Sequence, residues 1–186
     1  AYSSIAHMGY LLLALVASHY ATGTLAVEAV TFYLIAYVIT SLGAFGAASV
    51  ISSSEKEFDS IKDYRGLFWR NPWLASIFIA MLLSLAGIPL TVGFIGKFYI
   101  FLAGVESDLW MLLAVLVLGS GIGLYYYLRI VYRMLMTEKH KIPYRVGGVE
   151  SVSAYGVLAI LLFLLLLFGV YPAPIMSLVA AASAFI

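Results

Sequence analysis

The sequence predicts an all-α, polytopic membrane protein with about six transmembrane helices, and its composition is the first reason for that prediction. Of its 186 residues, 64% are hydrophobic and only 10% are charged, and the mean hydropathy is +1.06. Ordinary globular domains have roughly 45–50% apolar and about 25% charged residues. Ten Lys and Arg with nine Asp and Glu are too few to cover a water-soluble domain of this size. The composition therefore excludes a soluble enzyme.

The charge balance and the residue types present exclude several other classes. A net charge of +1 predicts no nucleic-acid partner, and the absence of Cys excludes disulfides, iron–sulfur clusters and thiolate metal sites in this chain. We find no metal-binding motif, phosphate-binding loop, dinucleotide fingerprint or nucleophile elbow. The sequence therefore predicts that the chain itself holds neither a metal nor a cofactor.

Long apolar runs are the second reason for the membrane prediction, because about 20 apolar residues in a helix cross a bilayer core of about 30 Å. Residues 1–20 predict the first helix and residues 27–51 the second, with a turn at residues 22–24. The chain begins without Met and inside an apolar run. We therefore expect it to be the C-terminal part of a longer polytopic protein.

A broken helix is predicted in residues 72–105, whose only charge is Lys97. As one helix this stretch would be about 50 Å long, too long for one span. Pro89 removes a backbone donor and disfavours helix at the residue before it, and Gly87 and Gly93 weaken the helix around it. We expect two short pieces of roughly 24 Å, with the break near one membrane face or inside a cavity lined by protein.

The remaining spans are predicted at residues 109–136 and 152–170, followed by a weaker apolar tail to residue 186. Three consecutive Tyr at residues 125–127 lie near the end of the first of these spans, together with Arg. This pattern is typical of an aromatic belt at the membrane interface.

Two polar loops give a prediction of topology. The loop at residues 138–150 is mostly basic, which places it in the cytoplasm, and the mixed-charge loop at residues 52–71 is then expected on the opposite side.

Lys97 is the residue that most needs a functional explanation. It lies about eight residues beyond the predicted break, or about 12 Å along a helix, and so near the middle of the membrane. Insertion scales assign such a Lys a cost of roughly 2.5 to 3.5 kcal/mol. Unlike Arg, a buried Lys can release its proton, and Gly/Pro-interrupted spans point to transport sites. A structural Lys that pairs with a carboxylate or reaches one membrane face is the alternative.

Other polar residues of the apolar helices are weaker candidates for a proton path. His7 shares a helix face with Ser3, and Ser4 is adjacent; this histidine could relay protons or remain neutral and hydrogen-bonded within the bundle. On the second span a stripe at i, i+4 and i+8 could conduct protons or merely pack against a neighbour. The members of this stripe are Tyr33, Tyr37 and Ser41.

Five stretches of the sequence resemble the antiporter-like membrane subunits of respiratory complex I, a family that includes Mrp cation/proton antiporters and membrane-bound hydrogenase subunits. Two of them are residues 1–10 (AYSSIAHMGY) and residues 84–98 (SLAGIPLTVGFIGKF). Three others narrow the resemblance to the subunit N branch of bacterial NADH:quinone oxidoreductase. These are residues 41–46 (SLGAFG), residues 64–69 (YRGLFW) and residues 122–129 (IGLYYYLR).

The resemblance implies a fold, because the family has fourteen helices that include two inverted five-helix repeats. Residues 1–150 would form the second repeat and residues 151–186 a C-terminal transmembrane helix with its tail, while the first repeat would lie upstream. Lys97 matches the lysine of the family's broken twelfth helix, which implies a role in proton translocation. Most other members of the family carry two His and one Lys at the positions of Tyr33, Tyr37 and Ser41. The residues of this chain agree instead with the subunit N branch.

The resemblance also implies a function: proton translocation coupled to quinone reduction, with no redox chemistry in this chain. NADH, FMN, iron–sulfur clusters and quinone are then expected in partner subunits. The expected partners are other membrane subunits of complex I, especially neighbouring antiporter-like subunits, and the bilayer of the bacterial inner membrane. Two alternatives remain open, a subunit of an Mrp-type sodium/proton antiporter and a scaffold that transports nothing.

Overall fold

The computed structural model describes residues 2–20, 24–52, 60–137 and 151–183, and all regular structure in these ranges is helical. The predicted basic loop at residues 138–150 and the last three residues of the tail lie outside the described residues. The eight helices of the described ranges are α1 (Tyr2–Tyr20), α2 (Leu25–Ile51), α3 (Leu67–Arg70), α4 (Pro72–Ala86), α5 (Val92–Glu106), α6 (Trp110–Leu135), α7 (Ser151–Val170) and α8 (Ala173–Ser183). Of these, α2, α6 and most of α7 are long and apolar enough to cross a membrane, and α4 is a shorter apolar helix. The predicted all-α membrane fold class is confirmed, but the count of about six transmembrane helices is not.

Helix α2 lies at the centre of the bundle, where it packs against α1, α4, α5 and α7. Phe32, Ala36 and Ala47 are buried along its length, as expected for a helix that is apolar on every side. Leu158 of α7 and Ile175 of α8 belong to the same buried core. The described C-terminal helices therefore pack onto the rest of the bundle, and the division of the chain at residue 150 stays a prediction.

The interruption of the long apolar stretch lies where Gly87 and Pro89 predict it. Gly87 adopts a left-handed conformation with φ of 85°, and its N–H donates to the Ser84 carbonyl at 3.0 Å, which ends α4. Thr91 then begins α5, because its hydroxyl oxygen accepts a hydrogen bond from the Phe94 N–H. The interruption leaves the last carbonyls of α4 without helical partners.

Gly93 lies inside the first turn of α5, beyond the interruption to which the sequence analysis assigned it. Its N–H donates to the Ser84 hydroxyl at 3.1 Å, and a Cβ at this position would lie 2.0 Å from the Ser84 carbonyl oxygen. The absence of a side chain at Gly93 thus allows α5 to approach the end of α4, rather than breaking the helix.

Helices α4 and α5 together form one interrupted crossing of the bundle. At one end, the indole N–H of Trp69, just before α4, donates to the Leu135 carbonyl at the end of α6. At the other end, the Ser107 hydroxyl, just after α5, donates to the Ala17 carbonyl near the end of α1. Each piece has 15 residues, about 22 Å, and is too short to cross alone. The interruption therefore lies inside the bundle, not at a membrane face.

This arrangement corrects the predicted topology. The Gly66 N–H donates to the Arg133 carbonyl, and the Trp69 indole contacts Leu135, so the end of the 52–71 loop lies at the same end of the bundle as the C-terminus of α6. The prediction of opposite sides was wrong because α4 and α5 were counted as two crossings. With one crossing there and one in α6, the chain returns to its starting side.

Candidate functional site

Lys97 lies on α5 with its ammonium group placed against the end of α4. The Nζ atom donates to the carbonyl oxygens of Leu85 at 3.0 Å and Ala86 at 2.9 Å, and to the Ser120 hydroxyl on α6 at 3.2 Å. It also lies 5.4 Å from the centre of the Tyr10 ring. These three acceptors satisfy all three N–H donors of the ammonium group.

The partners of Lys97 are neutral groups with a favourable orientation. The two carbonyls belong to the C-terminal turn of α4, where the helix dipole is negative, and an aromatic face attracts a cation. Among the residues that the structure describes, no carboxylate pairs with the ammonium group. The interrupted helix therefore supplies the counter-charge as partial charges, which cannot themselves titrate.

A small cavity connects Lys97 with His7 across the bundle. It leaves about 10 Å³ for the centre of a water molecule, close to the space that one water requires. Its lining includes two hydroxyl groups that the sequence analysis did not single out, those of Thr40 and Ser84. The full set of lining residues is His7, Tyr33, Ala36, Tyr37, Thr40, Ser84, Leu85, Gly93 and Lys97. The site thus combines an amine, an imidazole and hydroxyls around room for one water.

His7 is buried and has a tyrosine hydroxyl at each ring nitrogen. Its Nδ1 atom lies 2.5 Å from the Tyr33 hydroxyl, and its Nε2 atom lies 3.4 Å from the Tyr127 hydroxyl. The Tyr127 hydroxyl is also hydrogen-bonded to the Ser3 hydroxyl. Because hydroxyls and a neutral imidazole both donate and accept, these four side chains form a chain of groups that can exchange protons.

The stripe predicted on α2 is present in part. Tyr33 and Tyr37 line the cavity, and the Tyr37 ring lies 5.1 Å from the His7 ring between centroids. Ser41 is half-buried and does not line the cavity, whose next contributor from α2 is Thr40. A helix turns by about 100° per residue, so a residue at i+7 lies about 20° from Tyr33, whereas a residue at i+8 lies about 80° away.

Two side chains of α6 complete the site and were not predicted. Tyr127 was assigned to the aromatic belt with its neighbours, yet it points inward while Tyr125 and Tyr126 are exposed. Ser120 contacts the Lys97 amine. Ser120 and Tyr127 lie at i and i+7 on α6 and therefore share a helix face. This spacing is visible in the sequence and could have identified them. Ser4, in contrast, is half-buried and makes no hydrogen bond through its side chain that the described residues show.

Lys97 also lines a second, open cavity of about 380 Å³. The helix interruption forms one wall of this groove, and Ser120 and Gly121 of α6 form another. Phe94, Phe98 and Phe101 complete it with aromatic surface. Lys97 therefore lines both the small cavity toward His7 and the open groove.

Within the described ranges, no group of three or more His, Cys, Asp or Glu side chains could hold a metal ion. The predicted lack of a cofactor in this chain stays a prediction. The fold and the site instead define a class: a polytopic helical membrane protein with a lysine amine held at an interrupted helix.

Comparison with known families agrees with that class. The family described as NADH:quinone oxidoreductase/Mrp antiporter, transmembrane, matches residues 1–123, and the chain belongs to this family. It is 50% identical to NADH-quinone oxidoreductase subunit N of Ectopseudomonas mendocina, a match that covers 98% of this chain and 37% of the relative. It is also 50% identical to subunit N of Methylococcus capsulatus, covering 95% and 35%. The resemblance to subunit N is confirmed, and the chain spans little more than a third of these relatives' length.

Solved structures give the same result for the fold. Respiratory complex I from Thermus thermophilus contains a chain with a TM-score of 0.76 and 31% identity, covering 95% of this chain and 38% of that one. An archaeal membrane-bound sulfane sulfur reductase gives 0.81 and 27% identity, covering 98% and 36%. The Mrp complex from Dietzia gives 0.77 at 20% identity, covering 99% and 41%, which shows the fold alone.

Proposed function

We propose that this chain is the Lys97-bearing part of a proton-translocating membrane subunit of an NADH:quinone oxidoreductase. In this proposal it lies in the bacterial inner membrane beside other membrane subunits of that complex. Quinone reduction in partner subunits drives the proton movement, and this chain carries no redox group. Support comes from the two subunit N relatives, at 50% identity, and from the complex I structure, at 31%.

The observation that carries the proposal is the position of the Lys97 amine. It lies inside the bundle against two carbonyls that the interruption releases, and a cavity large enough for about one water lies beside it. A lysine that served only packing or anchoring would be expected to pair with a carboxylate or to reach a membrane face. Lys97 does neither among the described residues.

The hydrogen-bonded groups suggest the steps of the transfer. Lys97 gives its proton to a water in the small cavity, and that water lies within reach of His7. His7 can then pass a proton to Tyr127 and on to Ser3, or to Tyr33, by exchanging donor and acceptor roles. A charge change in a neighbouring unit would start the sequence by making the protonated amine less favourable.

The distribution of basic residues supports an orientation. Of the ten Lys and Arg, four lie in residues 56–70 and five in residues 129–145, and the described parts of both segments meet at one end of the bundle. Glu28, Glu106 and Asp108 lie near the opposite end. Because cytoplasmic loops are enriched in Lys and Arg, the basic end faces the cytoplasm in this proposal.

The test is Lys97→Met in the complete subunit, within the assembled complex. We expect proton pumping to fall at least about tenfold, together with the quinone reductase activity coupled to it, because the variant loses the only lysine amine that lies in the bundle core among the described residues. Lys97→Arg keeps the charge but cannot release a proton, so it should also fail to pump.

Lys56→Met, in the polar loop, is the matched control and should pump normally. Assembly is checked by purification of the intact complex. If the Lys97→Met complex assembles and pumps like the unmodified complex, the chain is a scaffold and the proposal is wrong.

A further inference from the structure

A basic surface cavity, away from Lys97, lies between α6 and the turn that precedes α3. It has a volume of about 350 Å³, and its lining consists of Ser60, Ile61, Lys62, Arg129 and Arg133. Arg129 and Arg133 are four residues apart on α6 and therefore project from the same helix face, about 6 Å apart along the axis. Three cations and one hydroxyl thus surround this space, and none of the described residues that line it is acidic.

The turn that carries Lys62 is held against α6 by fixed contacts. Within the turn, the Asp63 carboxylate accepts a hydrogen bond from the Ser60 N–H at 3.0 Å, and the Asp63 N–H donates to the Ser60 carbonyl at 2.9 Å. Toward α6, the Gly66 N–H donates to the Arg133 carbonyl at 3.2 Å. The three cations are therefore brought together by the backbone, rather than by chance positions of surface side chains.

The position of the cavity corresponds to a membrane–water boundary. Arg133 lies in the last turn of α6 and Arg129 one turn deeper. Two large aromatic side chains, Tyr132 and Trp69, are exposed at the same level, each 64%. Exposed Tyr and Trp beside Arg are typical of the headgroup region. Like charges at i and i+4 repel each other, and no carboxylate or carbonyl in the described ranges pairs with the Arg129 or Arg133 side chains.

We propose that this basic cavity binds the phosphate group of an anionic phospholipid, such as phosphatidylglycerol or cardiolipin. Arg forms forked hydrogen bonds with phosphate oxygens, and Lys62 and Ser60 add further donors from the opposite wall. A lipid fits better than a soluble phosphate because the exposed apolar side chain of Ile61 lines the cavity, and the exposed Tyr132 and Trp69 lie at the level of the headgroups. An acyl chain could lie along Ile61 while the phosphate is held.

The experiment uses the assembled complex with the complete subunit, in nanodiscs of phosphatidylcholine to which cardiolipin is added. Bound cardiolipin is counted by mass spectrometry after transfer into detergent. In Arg129→Gln/Arg133→Gln, we expect an affinity about 30-fold weaker, because each basic residue at an anionic surface contributes about 1 kcal/mol. Arg129→Lys should retain most of the binding. Arg65→Gln, an exposed arginine outside the cavity lining, is the matched control and should bind normally.

Several results would overturn the proposal. Equal cardiolipin retention in the double variant and the control would show that the cavity does not bind lipid. Displacement of cardiolipin by inorganic phosphate at similar concentration would show that the site takes a free anion. If the double variant does not assemble, a headgroup photoreactive phosphatidylglycerol is applied to the unmodified complex. Labelling must then fall on residues 60–62 or 129–133, and labelling confined to other segments would refute the site.

Discussion

Gly93→Ala tests whether the close approach of α5 to α4 sets the position of the Lys97 amine. A Cβ at this position would lie 2.0 Å from the Ser84 carbonyl oxygen, whereas ordinary contact begins at 3.4 Å, so the helices must separate by about 1.4 Å. Overpacking of this kind costs about 1–3 kcal/mol, and loss of the buried hydrogen bond to Ser84 costs about 1 kcal/mol. The better helix propensity of Ala returns about 1 kcal/mol. We expect a net destabilisation of about 2 kcal/mol.

The functional effect of Gly93→Ala should exceed its effect on stability. Lys97 is one turn further along α5, so the same shift moves its amine away from the carbonyls of Leu85 and Ala86. A displacement of about 1 Å at a reacting group can lower a rate about 100-fold. The assays are the thermal midpoint of subunit retention in the purified complex, and proton pumping at a temperature where the variant stays assembled.

Gly156→Ala on α7 is the matched control, because a Cβ there meets nothing within 4 Å. This variant should be neutral or stabilised by up to about 1 kcal/mol, since Ala replaces Gly inside a helix. Equal midpoints and equal pumping for Gly93→Ala and Gly156→Ala would refute the argument that this contact positions the amine.

Two further predictions concern the hydrogen-bonded groups, and both are measured as initial rates of proton pumping by the assembled complex. Tyr127→Phe removes the hydroxyl that joins His7 to Ser3. It should lower the pumping rate about fivefold, which corresponds to about 1 kcal/mol. Tyr126→Phe, on the exposed face, should leave the rate unchanged. Equal rates in the two variants would remove Tyr127 from the path. Thr40→Val removes a hydroxyl from the cavity and should slow pumping several-fold, while Ser41→Ala should change it little. A larger effect at Ser41 would restore the stripe as first predicted.

The helices and their interruption were predictable because the bilayer imposes strong constraints on sequence. Apolar runs of about 20 residues indicate membrane spans, and a Gly and Pro pair inside such a run indicates that the helix is interrupted there. The relative placement of α4 and α5 was not predictable from the same signals. A single crossing with a central break and two separate short crossings have the same local sequence, and only the contacts of Trp69 and Ser107 distinguish them.

The sequence identifies a site residue when burying that residue in an apolar run is energetically costly. It does not identify a residue whose role depends on the direction in which its side chain points. A charged amine in an apolar run is visible at once, so Lys97 stands out without any structure. Tyr127 does not, because three adjacent tyrosines point in three directions and only one of them can face the bundle. A helix turns by about 100° per residue, so a residue at i+8 points most of a quarter turn away from Tyr33. The prediction ignored this rotation and therefore chose Ser41 in place of Thr40.

In the proposed function, the neutral partners of Lys97 explain why an interrupted helix suits a proton site better than an ion pair would. If a carboxylate held the ammonium group, proton release would leave a buried anion without a partner, at a cost of several kcal/mol. Backbone carbonyls and the Ser120 hydroxyl stabilise the ammonium cation through their dipoles. When the amine is neutral it has fewer N–H donors, so these acceptors keep only some of their hydrogen bonds. Ser120 can then turn its hydroxyl and donate to the neutral amine, so both protonation states keep hydrogen bonds. On this argument, Ser120→Ala removes both an acceptor of the ammonium group and a donor to the neutral amine, so it should lower the initial rate of proton pumping more than it weakens assembly.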